Sequence, residues 1–204
     1  MTMGKLRKSN LHLLLLVLAI FSFFSCRQVS VPKPKGYFRI DLPPKKYIVF
    51  NETGQSNNLP LKFEYPVYGN ISDKVADKSD PGWFNIEFPA FKARIYLTYK
   101  NVGADLEGLI EQTYTMNVKN HITKADAINE QLINDAGNRI FGILYDLKGN
   151  TASAVQFYVT DSVKHYLRGS LYFESEPNAD SLAPVIDFFR KDVVHLIETL
   201  KWKE

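Results

Sequence analysis

Three apolar–polar runs in close succession (139–147, 152–160 and 164–173) and one helical stripe after them restrict the fold of this chain more than any other feature. Period-two alternation puts one side of each run toward a core and the other toward solvent, the pattern of a half-buried strand. The connections are short and carry turn chemistry: Gly149-Asn150 after the first run and Asp161-Ser162-Val163 after the second. Links this brief join antiparallel neighbours, because a parallel pair needs a crossover of a dozen residues or more. The stripe then steps by three and four through Leu182, Val185, Ile186, Phe189, Val193, Leu196, Ile197 and Leu200. Such spacing describes a helix laid across a sheet, with Asp180 or Ser181 as its cap and Pro184 in its first turn.

Upstream segments extend the same plan. Leu61 to Tyr65, Trp83 to Phe88 and residues 92–99 alternate as strands, the last two joined at Pro89-Ala90. Residues 69–82 are polar and rich in Asp, Ser, Pro and Gly, which predicts a surface loop. Asp105 precedes Leu106, Leu109, Ile110 and Thr113 as an N-cap would, so a helix is expected over 106–120. Residues 125–135 fit helix or strand; the turn signal Asp135-Ala136-Gly137-Asn138 favours a hairpin with the run that follows. The sum is an α+β domain: an antiparallel sheet of about six to seven strands packed by two helices. Its order of elements resembles the PsbP/Mog1-like sandwich.

The N-terminus is built for processing. Lys5, Arg7 and Lys8 precede an apolar stretch over 11–24, which is shorter than the ~20 residues a spanning helix needs and ends at Ser25-Cys26. A small residue before a cysteine at this place resembles a lipobox, with Phe23 where Leu is usual. The thiol is the nucleophile that takes the lipid, and Cys26 becomes the new N-terminus. Residues 1–25 are thus expected to be a lipoprotein signal peptide, 26–36 the lipidated Cys26 and an extended, Pro-interrupted tether, and 37–204 one globular domain. A multiply acylated cysteine anchors durably where one chain holds only marginally. Cys26 is the sole cysteine, so no disulfide forms within the chain. The chain carries 25 basic and 22 acidic residues; the three basic residues of the leader depart with it, leaving a mature chain balanced at 22 and 22 with no electrostatic footprint for nucleic acid.

Few residues invite chemistry. His121, His165 and His195 remain after processing, none at a metal-ligand spacing, and neither metal nor cofactor is expected. His165 opens a strand near Asp161, with Asp146 as another partner; with Thr160 and Ser162 this neighbourhood is the one place where an envelope hydrolase or ligand-binding lipoprotein could be built. No G-x-S-x-G elbow accompanies it, and Asp and Ser are ordinary turn formers. His195 falls between stripe residues, at a helix flank. Asp161-Ser162-Val163 and Asp180-Ser181-Leu182 resemble the Asp-Ser/Thr-apolar O-glycosylation sites of exported Bacteroidetes proteins, making Ser162 and Ser181 candidates; a turn and a helix cap account for them equally. Tyr37, Phe38, Tyr68 and Trp83 are candidate contact aromatics, with burial the alternative for Phe38 and Trp83.

An ordered set of motifs carries a family resemblance. It begins with Pro34-Lys35-Gly36-Tyr37-Phe38-Arg39-Ile40-Asp41-Leu42-Pro43 and continues through Phe63-Glu64-Tyr65-Pro66, Trp83-Phe84-Asn85-Ile86 and Ile95-Tyr96-Leu97-Thr98-Tyr99. It is densest in Gly142-Ile143-Leu144-Tyr145-Asp146, Gly149-Asn150, Gln156-Phe157-Tyr158, Thr160-Asp161-Ser162 and Leu167-Arg168-Gly169-Ser170-Leu171-Tyr172-Phe173, and closes at Ser181-Leu182-Ala183-Pro184-Val185. These runs resemble the gliding-motility lipoprotein GldD family of the Bacteroidetes. The resemblance implies a non-enzymatic, lipid-anchored component or assembly factor of the gliding machinery, in a lineage where motility and type IX secretion share parts. Its partners would be the membrane, through the N-terminal lipid, and other envelope proteins of that machinery. A general envelope lipoprotein unrelated to motility is the remaining alternative. Arg27-Gln28 lacks the Asp that retains some lipoproteins at the inner membrane, which points to the outer membrane and its periplasmic face.

Overall fold

Alternation is converted into two buried faces by one large sheet. The computed structural model describes residues 39–50, 59–72 and 82–203, which belong to a single compact unit; the leader, Cys26, the tether, Tyr37 and Phe38 lie outside the described residues. Strands β4 (Asn70–Ser72), β5 (Trp83–Phe88), β6 (Ala93–Asn101), β7 (Ala127–Asp135), β8 (Ile140–Lys148), β9 (Ser153–Thr160) and β10 (His165–Phe173) form a seven-stranded antiparallel sheet. Its order is β4-β5-β6-β10-β9-β8-β7, so the four-strand meander of the second half docks through β10 onto β6. The segment 125–135, open between helix and strand in the sequence, is strand: β7 pairs with β8 over all nine positions.

Two helices cover opposite faces. Helix α1 (Leu106–Tyr114) starts at Asp105, whose carboxylate accepts the Gly108 N–H, and ends earlier than the sequence predicts, passing into a π-helical turn over Thr115–Lys119. That turn carries the buried Asn117, whose Oδ1 accepts from Arg168 Nη2 at 3.1 Å, so the widened turn is tied to the sheet by a polar contact. Leu106, Leu109 and Ile110 pack on Tyr145, Leu147, Tyr158 and Tyr166 of the meander. Helix α2 (Ala179–Thr199) lays Val185, Phe189, Val193, Leu196 and Ile197 against Phe88, Ile95, Val155 and Leu171 on the other face. Its N-cap is Asn178 rather than Asp180 or Ser181: Asn178 Oδ1 accepts the Ser181 N–H, the helix begins sooner, and Pro184 falls in the second turn.

The run from Leu61 to Tyr65 departs from expectation. Its apolar side is buried as alternation requires, but its backbone divides between two partners. Strand β2 (Leu61–Lys62) pairs with β11 (Lys201–Trp202), and β3 (Glu64–Pro66) pairs with β1 (Tyr47–Val49). Part of the expected loop at 69–82 is also strand, since β4 edges the main sheet; 73–81 lie outside the described residues. Gly169 in β10 is required by packing, because a Cβ there would run into the ring of Phe157 on the neighbouring strand.

A buried ionic cluster fastens the N-terminal side of the domain to α2. Asp192, 1% exposed, accepts from Lys45 Nζ at 2.7 Å, from the Tyr68 hydroxyl at 2.6 Å and from the Tyr47 hydroxyl at 3.0 Å. Lys45 also donates to the Phe188 carbonyl at 2.9 Å and sits over the Phe188 ring. Burial lowers the Lys45 ammonium despite its bond to Asp192, and burial with the Asp192 charge pushes the Tyr47 phenol up to about 12. One turn further along α2, His195 stacks on Tyr47 at 3.6 Å between ring centroids and pairs with Glu64 at 2.7 Å, so this helix-flank histidine is a packing residue. Tyr68 is likewise engaged rather than free for an outside partner; Trp83 stays 38% exposed.

Candidate functional site

The β9–β10 turn builds its own scaffold. Asp161, 4% exposed, accepts the backbone N–H of Val163, Lys164 and His165 through one oxygen at 2.8–2.9 Å, closing an Asx-type turn that the left-handed Ser162 completes. Burial alone would raise the Asp161 carboxyl; the three backbone donors outweigh it and hold the group below its usual value. Thr160 donates its hydroxyl to the His165 carbonyl, which leaves the His165 ring as the variable part of the site.

Distant segments complete the surroundings of that ring. Tyr99 on β6 meets His165 Nδ1 at 2.8 Å, and the indole of Trp202 stacks on the imidazole at 5.1 Å with 13° between planes. Trp202 Nε1 donates to the Arg139 carbonyl at 3.1 Å, tying the C-terminal strand to the β7–β8 turn. Arg139 holds positive φ there and approaches Asp161 at 3.4 Å. A half-open groove of 560 Å³ results, lined by Gly137, Asn138, Arg139, Asp161, Lys164, His165, Lys201, Trp202 and Lys203.

The groove joins His165 and Asp161 as the sequence suggests, but not in catalytic geometry. The Asp161 carboxylate addresses backbone amides, so it does not orient the ring. Ser162 lines a different groove, and among the described residues the hydroxyl on the imidazole is the Tyr99 phenol, which burial raises further from ionisation. Asp146, the other expected partner of His165, is held instead by Arg190 through two bonds of 2.6 and 2.8 Å. No nucleophile–base–orienter chain is therefore formed around His165. The His121 ring meets the Met116 carbonyl, and among the described residues no group of three or more His, Cys, Asp or Glu is placed to hold a metal. Ser162 and Ser181 are both exposed, one at the turn and one in the first turn of α2. Sequence reasoning missed Tyr99, Arg139, Lys201, Trp202 and Lys203; only the alternating Lys201-Trp202-Lys203 behind the helix could have drawn notice.

His165 gives the domain an acid-sensitive component. Burial lowers its folded pKa below the ordinary histidine value of ~6.5, so the unfolded chain takes up the proton first. Stability held above about pH 6.5 is then lost as pH falls toward the lowered folded value, whereas the Asp161 contribution persists to below about pH 4. Urea midpoints between pH 8 and 5 should fall less steeply for His165→Gln than for the native chain; parallel slopes would contradict this assignment.

A second groove of 500 Å³ lies between α1 and the outer meander. Leu106, Ile110, Leu132, Phe141, Ile143 and Tyr158 give it an apolar lining, and Leu132 on β7 is 75% exposed. β7 is a sheet edge with mostly exposed side chains and no lysine or proline along its nine residues.

Comparison with known proteins follows this geometry. No curated protein matches the chain. Among solved structures, it is similar to the solution structure of cyanobacterial PsbP (CyanoP) from Synechocystis sp. PCC 6803, at 12% identity and a TM-score of 0.46, covering 87% of this chain and 97% of that one. No helix among the described residues is long and apolar enough to cross a membrane. The family model described as gliding motility lipoprotein GldD matches residues 27–202, which spans every described element, and the chain belongs to that family.

Proposed function

We propose that this lipoprotein is held at a membrane through Cys26 and works by contact, as a non-enzymatic component or assembly factor of the gliding machinery linked to type IX secretion. Family membership supports the motility association, and the leader ending at Cys26 supports the anchor. The absence of Asp after Cys26 favours the outer membrane, with the domain on the periplasmic face. The observation that carries a contact role is the bare β7 edge beside an apolar groove. Sheet edges are normally blunted by charged side chains (lysine above all), proline or a bulge because their free N–H and C=O groups pair with other chains; β7 has no lysine, proline or bulge, and its charges are Glu130 and Asp135. An extended segment of another machinery component fits there, adding a strand while an apolar side chain enters the groove.

Leu132→Lys tests this directly. The side chain is mostly in water, so folding stability should change by less than about 0.5 kcal/mol, while a lysine at the edge opposes strand addition. Colony spreading should then fall toward that of a deletion strain, with membrane-bound protein at its normal level. Normal spreading by Leu132→Lys would remove β7 as the contact surface. Normal spreading and normal type IX cargo secretion in the deletion strain would overturn the functional reading as a whole. The basic groove favours a ligand-binding role beside the contact role, and the hydrolase alternative lacks a nucleophile beside His165.

A further inference from the structure

We propose that the groove bounded by the β7–β8 turn, the β9–β10 turn and β11 binds a phosphate-bearing anion. Four cationic side chains line it (Arg139, Lys164, Lys201 and Lys203) against the single carboxylate of Asp161. That carboxylate is committed to three backbone N–H groups, and its other oxygen meets only Arg139 at 3.4 Å. No carboxylate among the described residues ion-pairs with Lys164, Lys201 or Lys203. The domain over 37–204 carries 19 basic and 22 acidic residues, so an excess of three positive charges among the described lining groups of one concave site is not a reflection of general basicity.

Charge and shape narrow the ligand. A phosphate monoester carries about −1.5 to −2 at neutral pH and matches this excess more closely than one carboxylate. Lysine binds phosphate as a point charge, and the three lysines lining the groove suit a roughly spherical anion without the planar match that a carboxylate exploits with arginine. The 560 Å³ volume lies in the range of small-molecule sites and exceeds what bare phosphate fills. The stacked His165–Trp202 pair offers an aromatic surface for whatever the phosphate is attached to. This chemistry is shared by an anionic phospholipid headgroup and by a free phosphate compound. The site adjoins the end of β7 but shares no lining residue with the apolar groove beside that edge, and it stands or falls independently of the motility reading.

The test uses the full chain in detergent micelles at low salt, with Trp83→Phe so that Trp202 is the one indole reporting. Inorganic phosphate, short-chain phosphatidic acid (a phosphomonoester lipid) and short-chain phosphatidylcholine are titrated separately, with oligoglutamate as the carboxylate control. A saturable change in Trp202 emission is expected with phosphate, phosphatidic acid or both, and none with the zwitterionic lipid. A response to phosphatidic acid alone identifies a headgroup site; a response that includes inorganic phosphate identifies a general phosphate site. Lys201→Gln with Lys203→Gln, both exposed and outside the core, should weaken binding about tenfold or more. No response to either phosphate probe, an unchanged Kd in the double variant, or tighter binding of oligoglutamate would each overturn the assignment.

Discussion

Replacing Asp192 with Ala is expected to cost the domain about 3–5 kcal/mol, the range found when one partner of a buried ion pair is removed. Three donors converge on this carboxylate, and none has a replacement acceptor of equal strength nearby: Lys45 Nζ, the Tyr47 hydroxyl and the Tyr68 hydroxyl. Lys45 keeps the Phe188 carbonyl and a side chain 26% exposed, which limits its share of the loss. The two phenols add roughly 1 kcal/mol each as lost hydrogen bonds. For a domain of this size the melting temperature should fall by roughly 10 °C. Asp192→Asn, which preserves shape and one acceptor, should lose less. Joint replacement by Lys45→Met and Asp192→Leu should recover most of the loss, because apolar residues of similar volume remove the stranded charge. Urea denaturation of the four proteins decides the matter; a native-like midpoint for Asp192→Ala would show that the cluster does not hold the domain together.

The position of this cluster gives it a bearing on function. Lys45 and Tyr47 stand close behind the segment proposed as the tether, while Asp192 and His195 lie on the helix that closes the main core. Under the proposed anchoring, load passed from the lipid along the tether enters the domain at β1 and reaches α2 through these contacts. A partner seated on β7 would pull from the far edge of the sheet. The intervening strands β8, β9 and β10 are joined antiparallel, with one register shift between β10 and β9 at Leu171/Tyr172.

How much of this was legible in the sequence depends on distance along the chain. β5 and the β8–β9–β10 meander could be read because alternation and turn residues are local signals and the hairpins they specify are local too. The split of Leu61 to Tyr65 could not: Leu61, Phe63 and Tyr65 all bury the same side, and alternation says nothing about which strand the backbone will pair with. The closing helix was legible by its stripe, yet its cap was misplaced, since Asn178, Asp180 and Ser181 are all good capping residues within one turn. At the candidate site, Asp161 and His165 were visible as neighbours across a tight turn. Their actual roles were not, because the carboxylate spends itself on the turn, and Tyr99, Arg139 and Trp202 arrive from other strands. The charge excess of the groove was hidden for the same reason. It emerges only when a C-terminal strand is folded against two turns of a domain in which acidic residues outnumber basic ones.

The lipid anchor is the premise on which the functional account rests, and Cys26 is the atom-level form of that premise. In the proposed anchoring the Cys26 thiol accepts the lipid, and two or more acyl chains give an anchor that does not exchange readily; no helix among the described residues is long and apolar enough to hold the membrane in its place. Cys26→Ala should therefore abolish stable attachment while leaving the urea midpoint of the domain unchanged, since the substitution lies outside 37–204. The direct measurement is fractionation of cells carrying native or Cys26→Ala protein, followed by carbonate extraction of the membranes. The account predicts native protein in the extracted membrane pellet, with the variant absent from it or retained only through an uncleaved leader of higher mass. Cys26→Ala protein of mature size, still fixed in the membrane pellet, would contradict it.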